Sequence, residues 1–117
     1  MARYDLIAVY IVTNGRNGTL YLGVTSDLLN RGLEHREGRV AGFSRKHGCT
    51  MLAWWERHSD IATAISREKE LKKWRRSWKL DLIEQCNPQW RDLYDDFLLP
   101  EHMRTYDDAW HEPSSKT

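Results

Sequence analysis

Apolar residues in the first part of the chain fall into two short runs separated by a polar break. The run over residues 5–13, DLIAVYIVT, is rich in β-branched and aromatic residues, which favours a β-strand. The break that follows, NGRNG, predicts a tight turn because asparagine and glycine tolerate positive φ angles. The run over 18–24, GTLYLGV, is predicted to return as a second strand, so that the two runs form a β-hairpin.

The remainder of the chain alternates helical patterns with one further strand. We predict a helix over 27–37, a Gly-rich basic loop over 38–49, a strand over 50–57, and helices over 61–73, 75–86 and 91–99. Thr25, Ser26 or Asp27 is expected to cap the first of these helices, and Ser59 or Asp60 the second. The order ββαβααα predicts an α+β domain in which helices pack on a small antiparallel sheet.

The predicted helix over 61–73 carries a carboxylate on its apolar side. At about 100° per residue, Glu68 falls in the middle of an apolar stripe, whereas Glu70 falls on the opposite face. The stripe consists of Ile61, Ala64, Ile65 and Leu71. A carboxylate that faces the core costs free energy unless it is paired or bound to a cation. Glu68 is therefore either the partner of an arginine from elsewhere or a ligand for a hard divalent cation such as Mg²⁺.

Arg31 and His35 are four residues apart in the predicted first helix and therefore share a face. Arginine can hold a phosphate through two hydrogen bonds, and histidine can transfer a proton near neutral pH. The alternative is a solvent-exposed face on which both side chains pair with Glu34 or Glu37.

Two tyrosines lie in the predicted hairpin, where the simplest interpretation is half-buried packing. An unperturbed tyrosine, with a pKa of about 10, is a poor base near neutral pH. Nearby cations would have to lower the pKa of Tyr10 or Tyr21 before either could accept a proton.

Composition excludes several classes of protein. The 117 residues are enough for one domain, and no run approaches the roughly 18 apolar residues of a membrane span. The segment MARYDLIAVY lacks a long apolar region before a small-residue cleavage site, so secretion is not expected. Cys49 and Cys86 lack the spacing of metal ligands, and we interpret both as reduced thiols in a cytoplasmic protein.

The formal net charge of +1 conceals an uneven distribution. Residues 1–80 contain 15 Lys/Arg and 8 Asp/Glu, a net +7, whereas residues 81–117 contain 3 and 9, a net −6. A basic body favours a polyanionic partner, although such charges can also be ordinary solvated helix faces. The acidic part is expected to be a solvated tail or a shield for the basic surface.

Two basic segments are the candidates for contact with nucleic acid. Phe43 lies in the first of them and would stack on an unpaired base. The candidate residues are Arg39, Phe43, Arg45 and Lys46 in the loop, and Lys69, Lys72, Lys73 and Arg76 in the helical region. Trp74 and Trp78 are four residues apart within the second segment, a spacing that favours core packing over base stacking.

Several ordered motifs resemble one known family. Ala8-Val9-Tyr10 and Tyr21-Leu22-Gly23 resemble the two half-motifs of the GIY-YIG nuclease superfamily, and YLGVTSDLLNRGLEHREG is similar to its small single-domain, YhbQ-like (UPF0213) branch. The resemblance continues through LAWWE, AISREKELKKWRRSWKLDLI and NPQWRDL, and covers about residues 5–94. It implies a GIY-YIG fold, with a three-stranded antiparallel sheet flanked by helices, over residues 1–99. A polar, acidic tail follows over 100–117.

The resemblance also implies a chemistry, namely hydrolysis of DNA phosphodiester bonds with one divalent cation, Mg²⁺ or Mn²⁺. The residues that match the family's site are Tyr10, Tyr21, Arg31, His35 and Glu68, with Glu68 as the metal ligand. Weak sequence preference is expected of a lone small domain, with selection by DNA structure instead, and single-stranded and branched DNA are the candidate substrates. The implied setting is DNA repair, recombination or processing of incoming DNA, without a membrane or an obligate protein partner. The alternative is a catalytically weak or inactive nucleic-acid-binding module of the same fold.

Two departures from the family pattern bear on the mechanism. The first half-motif reads AVY and lacks its glycine, which a strand tolerates unless a neighbour approaches closely. Val24 stands where several branches have a lysine, so one cation that could activate a tyrosine is missing. Which tyrosine acts as general base is therefore left open.

Overall fold

A computed structural model describes residues 6–98 of the chain. Its elements are β1 (Ala8–Thr13), β2 (Leu20–Thr25), α1 (Leu28–Arg36), α2 (Phe43–Lys46), β3 (Met51–Arg57), α3 (Ile61–Lys72), α4 (Arg76–Cys86) and a 3₁₀ helix (Leu93–Leu98). The predicted α+β class and the three-stranded antiparallel sheet are confirmed. The segment predicted as a plain loop contains the single turn of α2. The predicted tail over 100–117 lies outside the described residues.

The three strands form an antiparallel sheet in the order β2-β1-β3. The central strand, β1, is buried along its whole length, as its β-branched and aromatic sequence predicts. Tyr10 lies opposite Gly23 of β2 and opposite Trp55 of β3. The pairing of β1 with β3 shifts register between Ile11 and Val12. The half-motif tyrosine therefore lies in the middle of the sheet.

Aspartates begin two of the helices by capping, as the sequence predicts. Asp27 accepts a hydrogen bond from the backbone N–H of Asn30 at 3.2 Å, at the start of α1. Asp60 accepts one from the backbone N–H of Thr63 at 2.7 Å, at the start of α3. Each bond satisfies an N–H that the first turn of a helix leaves without a partner.

Helices cover both faces of the sheet. Because alternate residues of a strand point to opposite faces, Tyr10 and Trp55 share one face and Glu56 points to the other. The first face is covered by α1, whose His35 contacts Tyr10. The second is covered by α3, whose Arg67 pairs with Glu56. Groups from α1 and α3 can therefore meet only around an edge of the sheet, and β2 is one of its two edge strands.

A close approach fixes α1 against the 3₁₀ helix. A Cβ atom at Gly32 would lie 2.7 Å from the Tyr94 ring, so the glycine allows the two elements to touch. Arg36 of α1 donates to Asp92 at 2.7 Å and to Asp95 at 2.6 Å. These contacts hold the helix that carries Arg31 and His35.

The buried face of α3 differs from the predicted stripe. Ile61 and Ile65 are exposed, so their assignment to the core is wrong. The buried side chains of α3 are Ala64, Arg67, Glu68 and Leu71. Glu68 thus lies at the border of the buried face rather than in its middle.

The two tryptophans near the start of α4 differ in burial. Trp74 is buried, as predicted, but Trp78 is 38% exposed, so its assignment to the core is wrong. The rings contact each other edge to face, with centroids 5.7 Å apart.

Among the described residues there is no helix with the length and apolarity needed to cross a bilayer.

Candidate active site

Tyr10 crosses the neighbouring strand to reach α1. A Cβ atom at Gly23 would lie 2.5 Å from both Cζ and Oη of Tyr10, so the ring fits only over a glycine. The Tyr10 hydroxyl lies 3.0 Å from Nε2 of His35, and both side chains are buried. The glycine of the second half-motif therefore has a steric reason: it gives the tyrosine of the first half-motif its path to α1.

A directed chain of hydrogen bonds continues beyond His35. Nδ1 of His35 lies 2.8 Å from Oγ of Ser44, and the Ser44 hydroxyl donates to the backbone carbonyl of Cys49 at 3.2 Å. Because Ser44 uses its proton on that carbonyl, its oxygen accepts from Nδ1–H of His35. Nε2 of the neutral ring then accepts the hydroxyl proton of Tyr10, so the bonds assign the tautomer of His35.

Burial keeps Tyr10 and His35, the first two groups of this hydrogen-bonded chain, uncharged. Burial first, and then the nearby Arg31 guanidinium, lowers the pKa of His35 to about 4. Burial also raises the pKa of Tyr10 well above its usual value of 10, although Arg31 beside the hydroxyl opposes that shift. At neutral pH, Tyr10 is therefore a neutral hydroxyl that donates to a neutral imidazole.

Arg31 lies between this buried hydrogen-bonded chain and solvent. Its guanidinium lies close enough to the Tyr10 hydroxyl to oppose the rise in the pKa of that group, and it pairs with Glu34, with Nε 3.2 Å from Oε1. The ion pair with Glu34 is one that the sequence offered as the alternative to a functional role. The exposed-face interpretation is nevertheless wrong for His35, which is buried. The Arg31 side chain stays 42% exposed, so an anion can approach its remaining donors.

Tyr21 lies at the sheet edge, half-buried, between the buried chain and the surface. Its ring centroid is 5.8 Å from that of His35 and 6.1 Å from that of Phe43, and the Phe43 ring is nearly parallel to it at 23°. Phe43 is 49% exposed and in turn contacts the ring of His47 at 4.3 Å. Aromatic rings thus extend outward from the site along α2.

Glu68 approaches this edge from the other face of the sheet. Its side chain is buried, and Oε2 lies 2.8 Å from Nζ of Lys72, one turn further along α3. The partner is therefore a lysine from the same helix, not the arginine from elsewhere that the sequence suggested. Lys72 is also an electrostatic neighbour of Tyr21. This neighbour relation connects the carboxylate of α3 with the tyrosine of β2.

The donor set at Glu68 fits a hard divalent cation in one specific way. No group of three His, Cys, Asp or Glu side chains that could hold a metal occurs within residues 6–98. Mg²⁺ often takes one or two protein carboxylates and completes its shell with waters and phosphate oxygens. The Glu68 carboxylate suits that role, provided that the exposed Lys72 ammonium moves aside.

The residues predicted to contact nucleic acid lie mainly on the surface. Arg39, Phe43, Arg45 and Lys46 are exposed on and around α2, and Lys69, Lys72 and Lys73 are exposed at the end of α3. Arg39 pairs with Glu37 at 2.8 Å. Arg76 donates to the backbone carbonyls of Asn17 and Gly18 at 2.8 and 2.7 Å, and so ties α4 to the hairpin turn. Contact of these residues with DNA stays a prediction.

One member of the hydrogen-bonded chain, Ser44, has no counterpart among the residues predicted from sequence. It lies in the segment predicted as a loop, and a lone serine in a Gly-rich stretch has no pattern that marks it. Its importance follows from the tertiary contact that places α2 beside His35.

Comparison with known proteins agrees with this architecture. The profile of the GIY-YIG catalytic domain matches residues 6–81. A UPF0213 protein of Vibrio parahaemolyticus is 34% identical over 77 residues, which cover 66% of this chain and 72% of the relative. A UPF0213 protein of Haloquadratum walsbyi is 35% identical over 81 residues, covering 69% and 90%.

A UPF0213 protein of Staphylococcus epidermidis is 31% identical over 77 residues, covering 66% of this chain and 93% of the relative. The search of solved structures found no match. The matched domain is that of a nuclease family whose substrate is DNA, and the name UPF0213 specifies no activity. The chain belongs to the GIY-YIG family of nuclease domains, in its UPF0213 branch.

Proposed function

We propose that this protein is a divalent-metal-dependent endonuclease that hydrolyses DNA phosphodiester bonds. The observation that carries the proposal is the convergence of two separate sets of groups on Tyr21. The His35 ring lies beside it on α1, and Lys72, which pairs with Glu68 on α3, is its electrostatic neighbour. Membership of a nuclease family supports this chemistry.

Arg31 would bind the scissile phosphate. Its exposed guanidinium can donate to two phosphate oxygens and stabilise the charge that develops on them in the transition state. Tyr10 lies beside Arg31 and donates to His35, so these two buried residues would act by positioning the guanidinium. Ser44 extends the same support because it fixes the orientation of the His35 ring.

Glu68 would hold the metal ion. A bound Mg²⁺ or Mn²⁺ supplies positive charge for the phosphate oxygens and lowers the pKa of water. A buried carboxylate favours such a cation because it otherwise requires a partner within the protein.

Tyr21 is the residue that we propose accepts the proton of the attacking water. Tyr10 is the poorer acceptor, because burial raises its pKa and its proton is already donated to His35. Tyr21 is half-buried and has the Lys72 ammonium as a neighbour. A cation close by is what a tyrosine requires to accept a proton near neutral pH. Lys72 would thus supply the charge that Val24 does not.

The surface beside Tyr21 favours a substrate with unpaired nucleotides. The half-exposed ring of Phe43, nearly parallel to Tyr21, would offer a stacking platform for a base. Backbone phosphates would contact the surrounding cations, so binding should weaken steeply with salt. The cations are Arg39, Arg45 and Lys46 near α2, and Lys69, Lys73 and Arg76 near the end of α3. Single-stranded or branched DNA, in repair, recombination or processing of incoming DNA, fits this surface.

A second candidate function is a nucleic-acid-binding module with little or no catalysis. It is favoured by the ion pair at Glu68, since Lys72 already neutralises the carboxylate that a metal would need. Such a module would bind DNA tightly and with strong dependence on salt, but without any requirement for metal.

A panel of labelled DNA substrates separates the two functions. Single-stranded, duplex, flapped and branched DNA are incubated with Mg²⁺ or Mn²⁺ and with wild type, Glu68→Gln or Glu70→Gln. We expect cleavage by wild type and by Glu70→Gln, and a loss on the order of 100-fold or more for Glu68→Gln. Binding of DNA without cleavage of any substrate would reject catalysis and leave the binding module. Equal cleavage by wild type and Glu68→Gln would reject Glu68 as the metal ligand.

The same assay tests the assignment of the tyrosines. Tyr21→Phe should cost more activity than Tyr10→Phe, because Tyr21 would touch the attacking water whereas Tyr10 acts through Arg31. If Tyr10→Phe abolished cleavage and Tyr21→Phe retained it, the two roles would have to be exchanged.

A further inference from the structure

We propose that Lys72 is an internal counter-ion that a divalent cation must displace from Glu68, so that Lys72 sets the metal affinity of the site. The inference rests on the proposed function, and it concerns the regulation of that same site.

The two members of this ion pair are held very unequally. The Glu68 side chain is 12% exposed and is fixed where α3 packs on the sheet, whereas the Lys72 side chain is 57% exposed. The two charges are nevertheless 2.8 Å apart, and Lys72 reaches back one helical turn to make the contact. The carboxylate is therefore preorganised, whereas the ammonium that pairs with it is on a long, exposed side chain that can move into solvent.

A carboxylate buried to this degree is stabilised by a partner whenever metal is absent. Without Lys72 the buried Glu68 carboxylate would be an uncompensated charge, which destabilises the fold. The partner is a lysine ammonium 2.8 Å from the carboxylate, and a lysine carries its charge at neutral pH. Lys72 thus protects the fold in the metal-free state.

That same ammonium opposes metal binding. A divalent cation on the Glu68 carboxylate would be a few ångströms from Nζ, and two like charges at that distance repel strongly. Binding therefore requires the Lys72 side chain to rotate away from Oε2. Lys79 is a positive neighbour of Lys72, so it offers the displaced ammonium no anion. A phosphate of bound DNA would provide one, so metal and DNA should assist each other's binding.

Metal binding without DNA isolates this effect. Free Mn²⁺ is titrated by electron paramagnetic resonance against the full chain as wild type, Lys72→Met, Lys69→Met and Glu68→Gln. Lys69 is the matched control, since it is an exposed lysine directly beside Glu68 in the same helix. We expect Lys72→Met to bind Mn²⁺ roughly five- to tenfold more tightly than wild type, and Lys69→Met to change affinity less than about twofold. Glu68→Gln should reduce binding to background.

The outcomes separate this inference from the proposed function. If Glu68→Gln abolishes binding but Lys72→Met binds as wild type does, or more weakly, the counter-ion role is wrong and the metal site stands. The counter-ion role is also wrong if Lys69→Met and Lys72→Met tighten binding equally, because the effect is then general charge. If Glu68→Gln binds Mn²⁺ as wild type does, or if neither wild type nor Lys72→Met binds it, both proposals fail. Lys72→Arg, which keeps the charge, should retain the affinity of wild type.

Discussion

Two glutamates on the same side of the sheet are both buried, yet their surroundings are opposite. Glu56 of β3 accepts from Nε of Arg67 at 2.9 Å and lies 2.8 Å from Nε2 of His58, and both partners are themselves buried. Glu68 of α3 is bonded by Lys72, a side chain that is mostly in solvent. Burial of a carboxylate therefore does not by itself indicate a functional site. What distinguishes Glu68 is a partner that can leave.

The largest effect on stability is expected from the Glu56 network. Glu56→Gln removes the negative charge between two buried partners and leaves Arg67 with an exposed partner, Glu70. We expect the free energy of unfolding to fall by about 3–5 kcal/mol, as when one member of a buried ion pair is removed. Urea denaturation measures this change.

Glu68→Gln provides the contrast in the same experiment. Its partner can turn to water, so we expect a loss of about 1 kcal/mol or less even though cleavage is lost. Equal destabilisation by Glu56→Gln and Glu68→Gln would show that the two glutamates have the same structural role, and the distinction between them would fail.

The Glu56 network and the candidate active site each contain a buried histidine, and the hydrogen-bond partners of the two imidazole rings differ. His58 lies against a carboxylate, whereas His35 lies between the hydroxyls of Tyr10 and Ser44. Because the pKa of His35 is about 4 in the folded state and about 6.5 when unfolded, the unfolded chain binds the extra proton between these values. The contribution of the buried, neutral His35 to the free energy of unfolding is therefore fully present above pH 6.5 and is lost as the pH falls towards 4. It is at most about 3 kcal/mol.

Urea denaturation of wild type and His35→Gln between pH 7 and 4 measures this contribution. Groups common to both proteins cancel in the difference, which should shrink as the pH falls. A difference that stays constant over this range would show that His35 titrates near its ordinary pKa in the folded protein. It would also contradict the buried, uncharged state of the Tyr10–His35 pair.

Local patterns were sufficient to predict the strands, the hairpin and the capped helices, because each depends on neighbours in sequence. The sequence also predicts Glu68, but through a stripe that contains Ile61 and Ile65, both of which are exposed. Helical periodicity gave weight to aliphatic residues and none to Arg67. The burial of Arg67 depends on Glu56, a partner on another element. The face of α3 was therefore misplaced, and Glu68 lies at its border.

The hydrogen-bonded chain beyond His35 could not be predicted for a related reason. Their spacing places Arg31 and His35 on one face of α1. Whether that face is solvent-exposed or buried depends on which element covers it. The cover includes Ser44 on α2, a single turn inside a Gly-rich segment. Contacts between elements distant in sequence decide such questions, and one sequence does not contain them.

A smaller loss is expected where Tyr10 passes over β2. Gly23→Ala would place a methyl group 2.5 Å from the Tyr10 hydroxyl, so the ring must shift away from His35. We expect a loss of about 2 kcal/mol in the free energy of unfolding and a parallel loss of cleavage, because the support of Arg31 is disturbed. Gly15→Ala is the control in the same hairpin, where an added Cβ meets no atom within 4 Å. If Gly23→Ala were as well tolerated as Gly15→Ala, the path of Tyr10 would have to be different.

The smallest expected effect sharpens the comparison most, because it concerns one proton. Ser44→Ala removes the acceptor of His35 Nδ1–H and costs about 1 kcal/mol, the net contribution of one hydrogen bond. Its more specific effect is on the tautomer, which can be measured from the ¹⁵N chemical shifts of the imidazole ring. In wild type, Nδ1 should carry the proton and Nε2 should accept from Tyr10, whereas the variant should populate the other tautomer and weaken that bond. His58, whose Nε2 lies against Glu56, is the internal control and should keep its shifts. If the His35 shifts also remained unchanged, Ser44 would not fix the ring, and the support of Arg31 would end at His35.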